Sequence, residues 1–334
     1  VLVAAVQDAA HVLVGTENVG VRNVDTSALT DAAYQPNAGG AGSNVPGNEP
    51  IRDIAMGAED TMGARREAYA TAVGVYACVN LAGTAGDTCA QVQNTQGVTD
   101  VLILGQGITT GALMVTGSSN GLRIYSATNQ ILDDVQEGGN QDEILGEVRD
   151  IVAADPSSTS LNPVSFWVAT DKGVARVTLS QQGQVSMIQH FDEDTTQDLL
   201  PDYNVRAIAV DPGNIESQWF ATAGGLGHHQ GPAYGTMTWT SYTRQSAGLA
   251  SNDLTAVAVD RFPSAQVPIV WVGTGGAGAF RLDVSAALAP LVTTISAADG
   301  MPQGRVNSVI IHPQDAAHTK WFGTASGLFG YTGQ

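Results

Sequence analysis

The chain has 334 residues, with 32 Asp and Glu against 14 Lys and Arg, so its formal net charge at pH 7 is −18. Such an acidic surface repels a phosphate backbone, which argues against nucleic acid as a partner. No run of eighteen apolar residues and no signal-peptide pattern occurs, and the first residue is Val1 rather than Met. We therefore expect no membrane span, and a chain that has been processed or belongs to a longer one.

A short motif recurs seven times along the chain. Each copy has an apolar run that ends in Thr, a small turn with Gly, and a second apolar run, which is typical of a strand pair around a tight turn. The copies are "VLVGTENVGVR", "AYATAVGVYA", "LMVTGSSNGLRIY", "FWVATDKGVAR", "QWFATAGGL", "VWVGTGGAGAFR" and "KWFGTASGLFGY". The Thr residues are Thr16, Thr71, Thr116, Thr170, Thr222, Thr274 and Thr324, spaced by 55, 45, 54, 52, 52 and 50.

A second motif, a short apolar strand, precedes each of the last six copies by 17 to 22 residues. These strands are "IRDIAMG", "VTDVLIL", "VRDIVAADP", "VRAIAVDP", "LTAVAVD" and "VNSVIIHP", and "VLVAAVQ" is the matching strand of the first copy. A period near fifty with several strands and no helical periodicity predicts a β-propeller. The fold class we predict is all-β, a seven-bladed propeller of antiparallel four-stranded blades.

We predict one domain over residues 1–334. Its blades are expected at about 1–50, 51–97, 98–147, 148–204, 205–253, 254–305 and 306–334. Too few residues follow Tyr331 for a fourth strand, so the last blade is expected to have three. Its third strand, around Leu328 to Tyr331, would then be covered by residues beyond this chain or by a partner subunit.

These motifs resemble the two-component regulator propeller repeat. The resemblance rests on "GMPQGRVNSVIIHP" with "KWFGTASGLFGY", on "GLASNDLTAVAVD" with "VWVGTGGAGAF", and on "LLPDYNVRAIAVDP" with "QWFATAGGL". It covers about 140 to 331 and is faint before that. It implies an extracellular β-propeller but no particular activity, because propellers host unrelated functions. Some glycan-cleaving propellers share the Ala-Val-Asp-Pro and Gly-Thr phrases, but the Ser-x-Asp-x-Gly-x-x-Trp turn of those enzymes is missing.

The chain has two cysteines, Cys78 and Cys89, on either side of a Gly-rich loop. This loop would bring the third and outer strands of the second blade together, so a cross-strand disulfide is natural and would indicate an exported protein, extracellular or periplasmic. The alternative is a pair of free buried thiols.

The repeated Trp residues, Trp167, Trp219, Trp271 and Trp321, are expected to pack between blades. Function is therefore sought in residues that do not repeat. In an up-and-down blade, the loop that enters the inner strand and the turn between the second and third strands emerge on the same face. The polar residues of these segments are predicted to surround one mouth of the channel and to bind a ligand or partner. The set predicted to bind comprises Asp202, Tyr203, Asn204, Asn252, Asp253, Gln303, Arg305, Asp171 and Lys172.

The remaining motifs give little indication of metal binding or catalysis. His228 and His229 are neighbours in an extended segment and would point to opposite faces, which makes a shared metal awkward. The acidic pairs and runs, Asp133 with Asp134 and Asp192 with Glu193 and Asp194, are read as solvated turns, with calcium or acid-base chemistry as the alternative. We expect no cofactor, no metal and no catalytic residue.

The function that we predict is a non-catalytic recognition or assembly module outside the cytoplasm. Its partner would be a protein or further domains of a longer chain, and carbohydrate remains a candidate ligand. The alternative is a carbohydrate-active hydrolase or lyase that uses carboxylates at the channel mouth.

Overall fold

The computed structural model describes residues 2–7, 11–26, 30–33, 49–59, 64–80, 88–105, 112–136, 144, 146–156, 164–231, 237–262, 267–285, 290–312 and 318–333. In this part of the chain, 27 strands form seven separate antiparallel sheets, six with four strands and one with three. Each sheet is one blade, and its strands follow one another in sequence order. The predicted seven-bladed propeller with an incomplete last blade is confirmed.

Blades 1 to 3 occupy the first part of the chain. Blade 1 consists of β1 (Val3–Val6), β2 (His11–Gly15), β3 (Val21–Asp25) and β4 (Thr30–Ala33). Blade 2 consists of β5 (Ile51–Met56), β6 (Arg65–Thr71), β7 (Gly74–Asn80) and β8 (Thr88–Gln91). Blade 3 consists of β9 (Val98–Leu104), β10 (Leu113–Ser118), β11 (Gly121–Tyr125) and β12 (Ile131–Gln136).

Blades 4 to 7 follow with the same order. Blade 4 consists of β13 (Val148–Ala153), β14 (Val164–Thr170), β15 (Gly173–Leu179) and β16 (Val185–Phe191). Blade 5 consists of β17 (Val205–Asp211), β18 (Asn214–Thr222), β19 (Leu226–Gln230) and β20 (Thr238–Tyr242). Blade 6 consists of β21 (Leu254–Asp260), β22 (Ile269–Thr274), β23 (Ala279–Asp283) and β24 (Leu291–Ile295), and blade 7 of β25 (Val306–Ile311), β26 (Lys320–Thr324) and β27 (Gly327–Tyr331).

In the described residues, three single helical turns lead from an outer strand to the next blade. They are α1 (Glu193–Thr196), α2 (Arg244–Ala247) and a 3-10 turn at Ala297–Asp299, each begun by a capping side chain. None of the helices in the described ranges is long and apolar enough to cross a membrane.

The first strand of each blade lies innermost, and these strands contact one another in blade order around the channel. The ring closes where β1 packs against β25 and β26. A small apolar cluster fills this closure, with Ala4, Val12 and Val14 of blade 1 against Trp321 of blade 7. Blades 7 and 1 are therefore joined by packing, without an exchanged strand in the described residues.

The recurring Thr closes the turn between the second and third strands. In six blades its hydroxyl donates to the carbonyl of the turn glycine, as Thr170 does to Gly173 at 3.0 Å. Gly173 has φ +124, and a Cβ there would lie 2.4 Å from the carbonyl oxygen of Phe191, so only glycine fits. In blade 3 the prediction was wrong by two residues, because β10 continues past Thr116 and Ser118 occupies the turn position.

The tryptophans pack between blades, as predicted. Trp167, Trp219 and Trp271 are at most 2% exposed and Trp321 is 6% exposed. Trp167 of blade 4 lies edge-on to Phe220 of blade 5, and Trp271 of blade 6 lies edge-on to Phe322 of blade 7. Burial of such large rings stabilises each seam.

The predicted disulfide is also confirmed. Cys78 on β7 and Cys89 on β8 face each other in the strand register and are bonded. The bond joins the third and outer strands of blade 2.

Candidate ligand site at the channel mouth

The innermost strands begin with a bulge that turns two successive side chains towards the channel. The register shifts between the first and third strand residues in blades 2 to 7. The second residue then reaches the first carbonyl of the next blade. These donors are Arg52 to Val98 at 2.9 Å, Thr99 to Val148 at 2.7 Å, Arg206 to Leu254 at 2.9 Å and Thr255 to Val306 at 2.5 Å.

The third residue of the inner strand is an aspartate in blades 2, 3 and 4. Asp53 accepts the backbone N–H of Val101 at 3.0 Å, and Asp150 accepts that of Ile208 at 2.6 Å. Asp100 accepts the N–H of Ile151 in the same way. The inner strand is an edge strand, so its channel-facing amides need such partners.

Burial raises the pKa of all three aspartates, and the charges of neighbouring aspartates add to this effect for Asp100 and Asp150. Burial raises the pKa of Asp53, and burial with the charges of Asp53 and Asp150 raises the pKa of Asp100 well above its usual range. Burial, followed by the Asp53 charge, raises the pKa of Asp150 to about 7. Asp53 and Asp150 are half-buried and Asp100 is 7% exposed, so the group lies just beneath the mouth.

The entering loops and the turns between second and third strands lie on one face, as the topology predicts. Backbone N–H groups of three turns donate to carbonyls of the loops in the same blade. These bonds are Asp171 to Glu147 at 3.3 Å, Ala223 to Asn204 at 3.1 Å and Gly275 to Asp253 at 2.9 Å. The loops therefore rim one end of the channel.

Five of the nine residues predicted to bind are exposed on this face. They are Lys172, Tyr203, Asp253, Gln303 and Arg305, and Tyr203 is 56% exposed. The large exposed ring of Tyr203 is available for contact with a ligand.

The other four are partly buried and hold the loops in place. Asp202 accepts the N–H of Asn204 at 2.8 Å, and Asp171 accepts the N–H of Glu147 at 2.8 Å. Asn252 accepts the N–H of Arg244 at 2.7 Å, which ties it to α2. A binding role for the nine residues stays a prediction.

Sequence reasoning missed two arginines at the mouth. Arg149 and Arg206 lie within the apolar motifs "VRDIVAADP" and "VRAIAVDP", and the bulge turns both to the channel. Arg206 pairs with Asp253 and Arg149 lies 3.5 Å from Glu147. The only available signal was an arginine in an apolar strand, where a charged side chain is unusual.

The remaining candidates have structural roles. His228 stacks on Trp219 with ring centroids 3.8 Å apart, whereas His229 contacts Gln218 at 2.6 Å between Nδ1 and Oε1. Their rings lie on opposite faces of β19, as predicted. Asp133 accepts the N–H of Val185, and Asp192 caps α1. Within the described ranges, no three His, Cys, Asp or Glu side chains are arranged to hold a metal ion.

A second concave region lies on the outer rim between blades 2 and 3. It is a polar groove of about 500 Å³. Its lining includes Gln91–Asn94, Tyr125 and Asn129–Ile131. Gln130 lies in the turn between β11 and β12, at the opposite end of the blade from the turns of the channel mouth, and offers a control position for binding experiments.

The chain matches no family model, and no curated protein matches it. Solved structures do match. The extracellular domain of a hybrid two-component system protein from B. thetaiotaomicron aligns over 98% of this chain with TM-score 0.61 and 14% identity. This chain spans 37% of that one.

Other propellers align over most of their own length. BBS1N, solved in complex with ARL6DN, matches with TM-score 0.56 and 12% identity over 96% of this chain and 86% of that chain. U3-55K matches with TM-score 0.54 and 11% identity over 94% of this chain and 85% of that chain. At these identities the likeness shows the fold, and it confirms the resemblance to a two-component system propeller at that level.

Proposed function

We propose that this propeller is a non-catalytic recognition or assembly module that acts outside the cytoplasm. The observation that carries the proposal is the channel mouth, where exposed Tyr203, Asp253, Gln303 and Arg305 gather on one rigid face. Loops held by a rigid scaffold are the usual place for binding residues. In this proposal the module needs no cofactor.

The open edge of blade 7 supports an assembly role. In the described residues β27 pairs only with β26, whereas the third strand of every other blade has an outer partner. A tight turn joins Thr324 to Gly327, so the alternation of an antiparallel pair directs the amides of Leu328 and Gly330 away from β26. A strand from a partner, or from further residues of a longer chain, would satisfy these groups.

An extracellular or periplasmic location is supported by two findings. The Cys78–Cys89 disulfide is the kind of bond that persists in oxidising compartments. The similar domain from B. thetaiotaomicron is extracellular.

A carbohydrate-active hydrolase or lyase is the second candidate function. It is supported by Asp150, which is half-buried in the channel. Burial raises the pKa of this carboxyl group to about 7, and such shifted values are common at functional sites. Against it, Asp53, Asp100 and Asp150 lie on successive blades and each accepts a backbone N–H of the next inner strand. These hydrogen bonds give the three carboxylates a structural role, because each one links its blade to the next.

A capture experiment separates the mouth from the rim. Wild-type protein, the Tyr203→Ala variant and the rim variant Gln130→Ala are immobilised and exposed to an extract of the source cell envelope. We expect a partner that wild type and Gln130→Ala retain and Tyr203→Ala loses, with all melting temperatures equal. Equal retention by all three would remove the mouth from consideration.

An activity assay tests the second candidate. Incubation with a panel of polysaccharides should give no new reducing ends. Turnover by wild type that Asp150→Asn abolishes would overturn the non-catalytic proposal.

A further inference from the structure

Positive charge is concentrated at the channel mouth of a protein that is acidic as a whole. Arg52, Arg149 and Arg206 occupy the second position of inner strands, and Arg305 enters blade 7 one residue before Val306. These are four of the 14 basic residues in a chain of net charge −18. These arginines place positively charged donors at one end of the channel, where they can attract an anion.

Three of these arginines come from three different blades and lie at the starts of inner strands. Arg305 belongs to blade 7, whereas Arg206 and Arg149 belong to blades 5 and 4, yet their charges act on it. Partial burial, followed by Arg206, lowers the pKa of Arg305, and Arg149 contributes in the same direction. Arg149 and Arg206 each follow the first residue of an inner strand and Arg305 precedes one, so all three lie at the same end of the channel.

Carboxylates pair with two of these arginines but leave some of the guanidinium donors unused. Arg206 pairs with Asp253, and Arg149 lies 3.5 Å from Glu147. Asp253 also acts on Arg305, but Arg305 makes no hydrogen bond or ion pair with any described residue. The Nε of Arg149 is buried and has no hydrogen-bond acceptor in the described ranges. Two guanidinium groups thus keep unused donors at the same opening.

We propose that Arg149, Arg206 and Arg305 form an oxyanion-binding site at the channel mouth, which takes a carboxylate or sulfate group of the recognised ligand. The inference rests on the proposed function, because the mouth is the binding face of that proposal. Guanidinium forks match the paired oxygens of both groups and bind them with charge-assisted hydrogen bonds. Tyr203, on the neighbouring loop of blade 5, offers an aromatic surface to the uncharged part of the ligand.

The experiment titrates the full chain with succinate and, separately, with sodium sulfate, at an ionic strength held constant with potassium chloride. Binding is followed by calorimetry and by the NMR signals of the arginine Nε–H groups. Saturable binding that shifts the Arg149 and Arg305 signals is expected. The two titrants distinguish a carboxylate from a sulfate as the source of the oxyanion. A linear response to both would overturn the proposal.

Three variants locate the site. Arg305→Gln should weaken binding about tenfold or more, the loss of about 1.4 kcal/mol that one charge-assisted contact supplies. Arg244→Gln removes the same charge from exposed α2 and should bind as wild type does. Asp253→Asn removes the competing carboxylate and should bind more tightly. Equal loss in Arg305→Gln and Arg244→Gln would show a diffuse charge effect and overturn the site.

The result is independent of partner capture. Arg305 makes no hydrogen bond or ion pair with the described residues, so its variant should keep the wild-type melting temperature. A partner that Tyr203→Ala loses, together with anion titrations that stay linear, would refute the oxyanion site and leave the proposed function standing. Saturable anion binding without any mouth-dependent partner would support the oxyanion site and refute the proposed recognition of a partner at the mouth.

Discussion

Blades 4 to 7 and blades 1 to 3 have the same strand order but different interiors. Blades 4 to 7 place a tryptophan three residues before the turn Thr, at Trp167, Trp219, Trp271 and Trp321. The equivalent residues of blades 1 to 3 are Leu13, Ala68 and Val115, all fully buried. The same architecture is therefore built once with repeated aromatic packing and once with smaller side chains.

Cations add to the aromatic seams in the second half. Arg261 holds Asp211 of the preceding blade with its Nη2 2.7 Å from Oδ2. Lys320 is 1% exposed, lies 3.6 Å from Asp260 and stands over the ring of Trp271. In both pairs, a basic side chain of one blade lies against an aspartate of the preceding blade.

Blades 1 to 3 rely on polar contacts that do not repeat from blade to blade. Glu67 is fully buried in blade 2 and accepts hydrogen bonds from Arg65 at 2.9 Å and from the hydroxyl of Tyr69 at 2.5 Å. Arg66 donates to the carbonyl of Ser126 in blade 3, and Cys78 is bonded to Cys89. A buried polar group is tolerated only when it is satisfied, so each of these residues depends on its own partner.

The largest expected effect is the loss of a tryptophan. Trp271→Ala should lower the free energy of unfolding by about 3–5 kcal/mol, because a large buried ring leaves a cavity. Val115→Ala, at the same repeat position of blade 3, should cost about 2 kcal/mol through the two buried carbons that it removes. Chemical denaturation measures both, and equal losses would contradict the distinction between the halves.

Removal of the disulfide should have the next largest effect. The Cys78→Ala, Cys89→Ala double variant opens a loop with a sequence separation of 11 residues and should lose about 2–3 kcal/mol. A reducing agent should destabilise wild type and leave the double variant unchanged. Two free thiols, found by intact mass in protein purified without reductant, would contradict export.

The aspartates beneath the mouth should make the protein less stable at higher pH. The native pKa of Asp150 is raised to about 7 from 3.8, so the folded state binds more protons than the unfolded state between these values. The contribution of Asp150 to the free energy of unfolding should therefore fall as pH rises from about 4 to about 7. Asp150→Asn keeps an oxygen for the N–H of Ile208 and should reduce this fall.

Denaturant unfolding of wild type and variant at pH 5 and pH 8 tests this expectation. Asp194→Asn removes the same charge from exposed α1 and reports the effect of net charge alone. If Asp194→Asn changes the pH dependence as much as Asp150→Asn does, the interaction among the channel aspartates is not its cause.

The histidines of blade 5 should give a smaller slope of opposite sign. Burial lowers the pKa of His228 and of His229 from 6.5 to about 4, so the unfolded state binds more protons in that interval. The contribution of these histidines to the free energy of unfolding should therefore fall as pH decreases from about 6.5 to about 4, which offsets part of the aspartate contribution. His229→Gln should remove part of the histidine contribution, so the free energy of unfolding should fall more steeply between pH 4.5 and pH 6.5 in this variant than in wild type, and an unchanged difference would contradict the assignment.

Short-range sequence patterns were enough to predict the architecture. A Thr and a Gly close each turn through a local hydrogen bond, and an apolar strand precedes each pair at a nearly constant distance, so the blade number could be read from the chain. Cys78 and Cys89 were placed correctly for the same reason, because a short loop brings adjacent strands together. Blade 3 shows the limit, since Thr116 and Ser118 both fit the pattern and only the strand register selects Ser118.

The site depended on contacts that no local pattern contains. Arg149, Arg206 and Arg305 are 57 and 99 residues apart in sequence, and they lie at the same end of the channel because seven inner strands close a ring. The bulge that turns Arg149 and Arg206 to the channel is a property of strand pairing, and the composition of "VRDIVAADP" and "VRAIAVDP" gives no sign of it. Local hydrogen bonds and spacing determined the blades, whereas the closure of the ring decided which charges face one another.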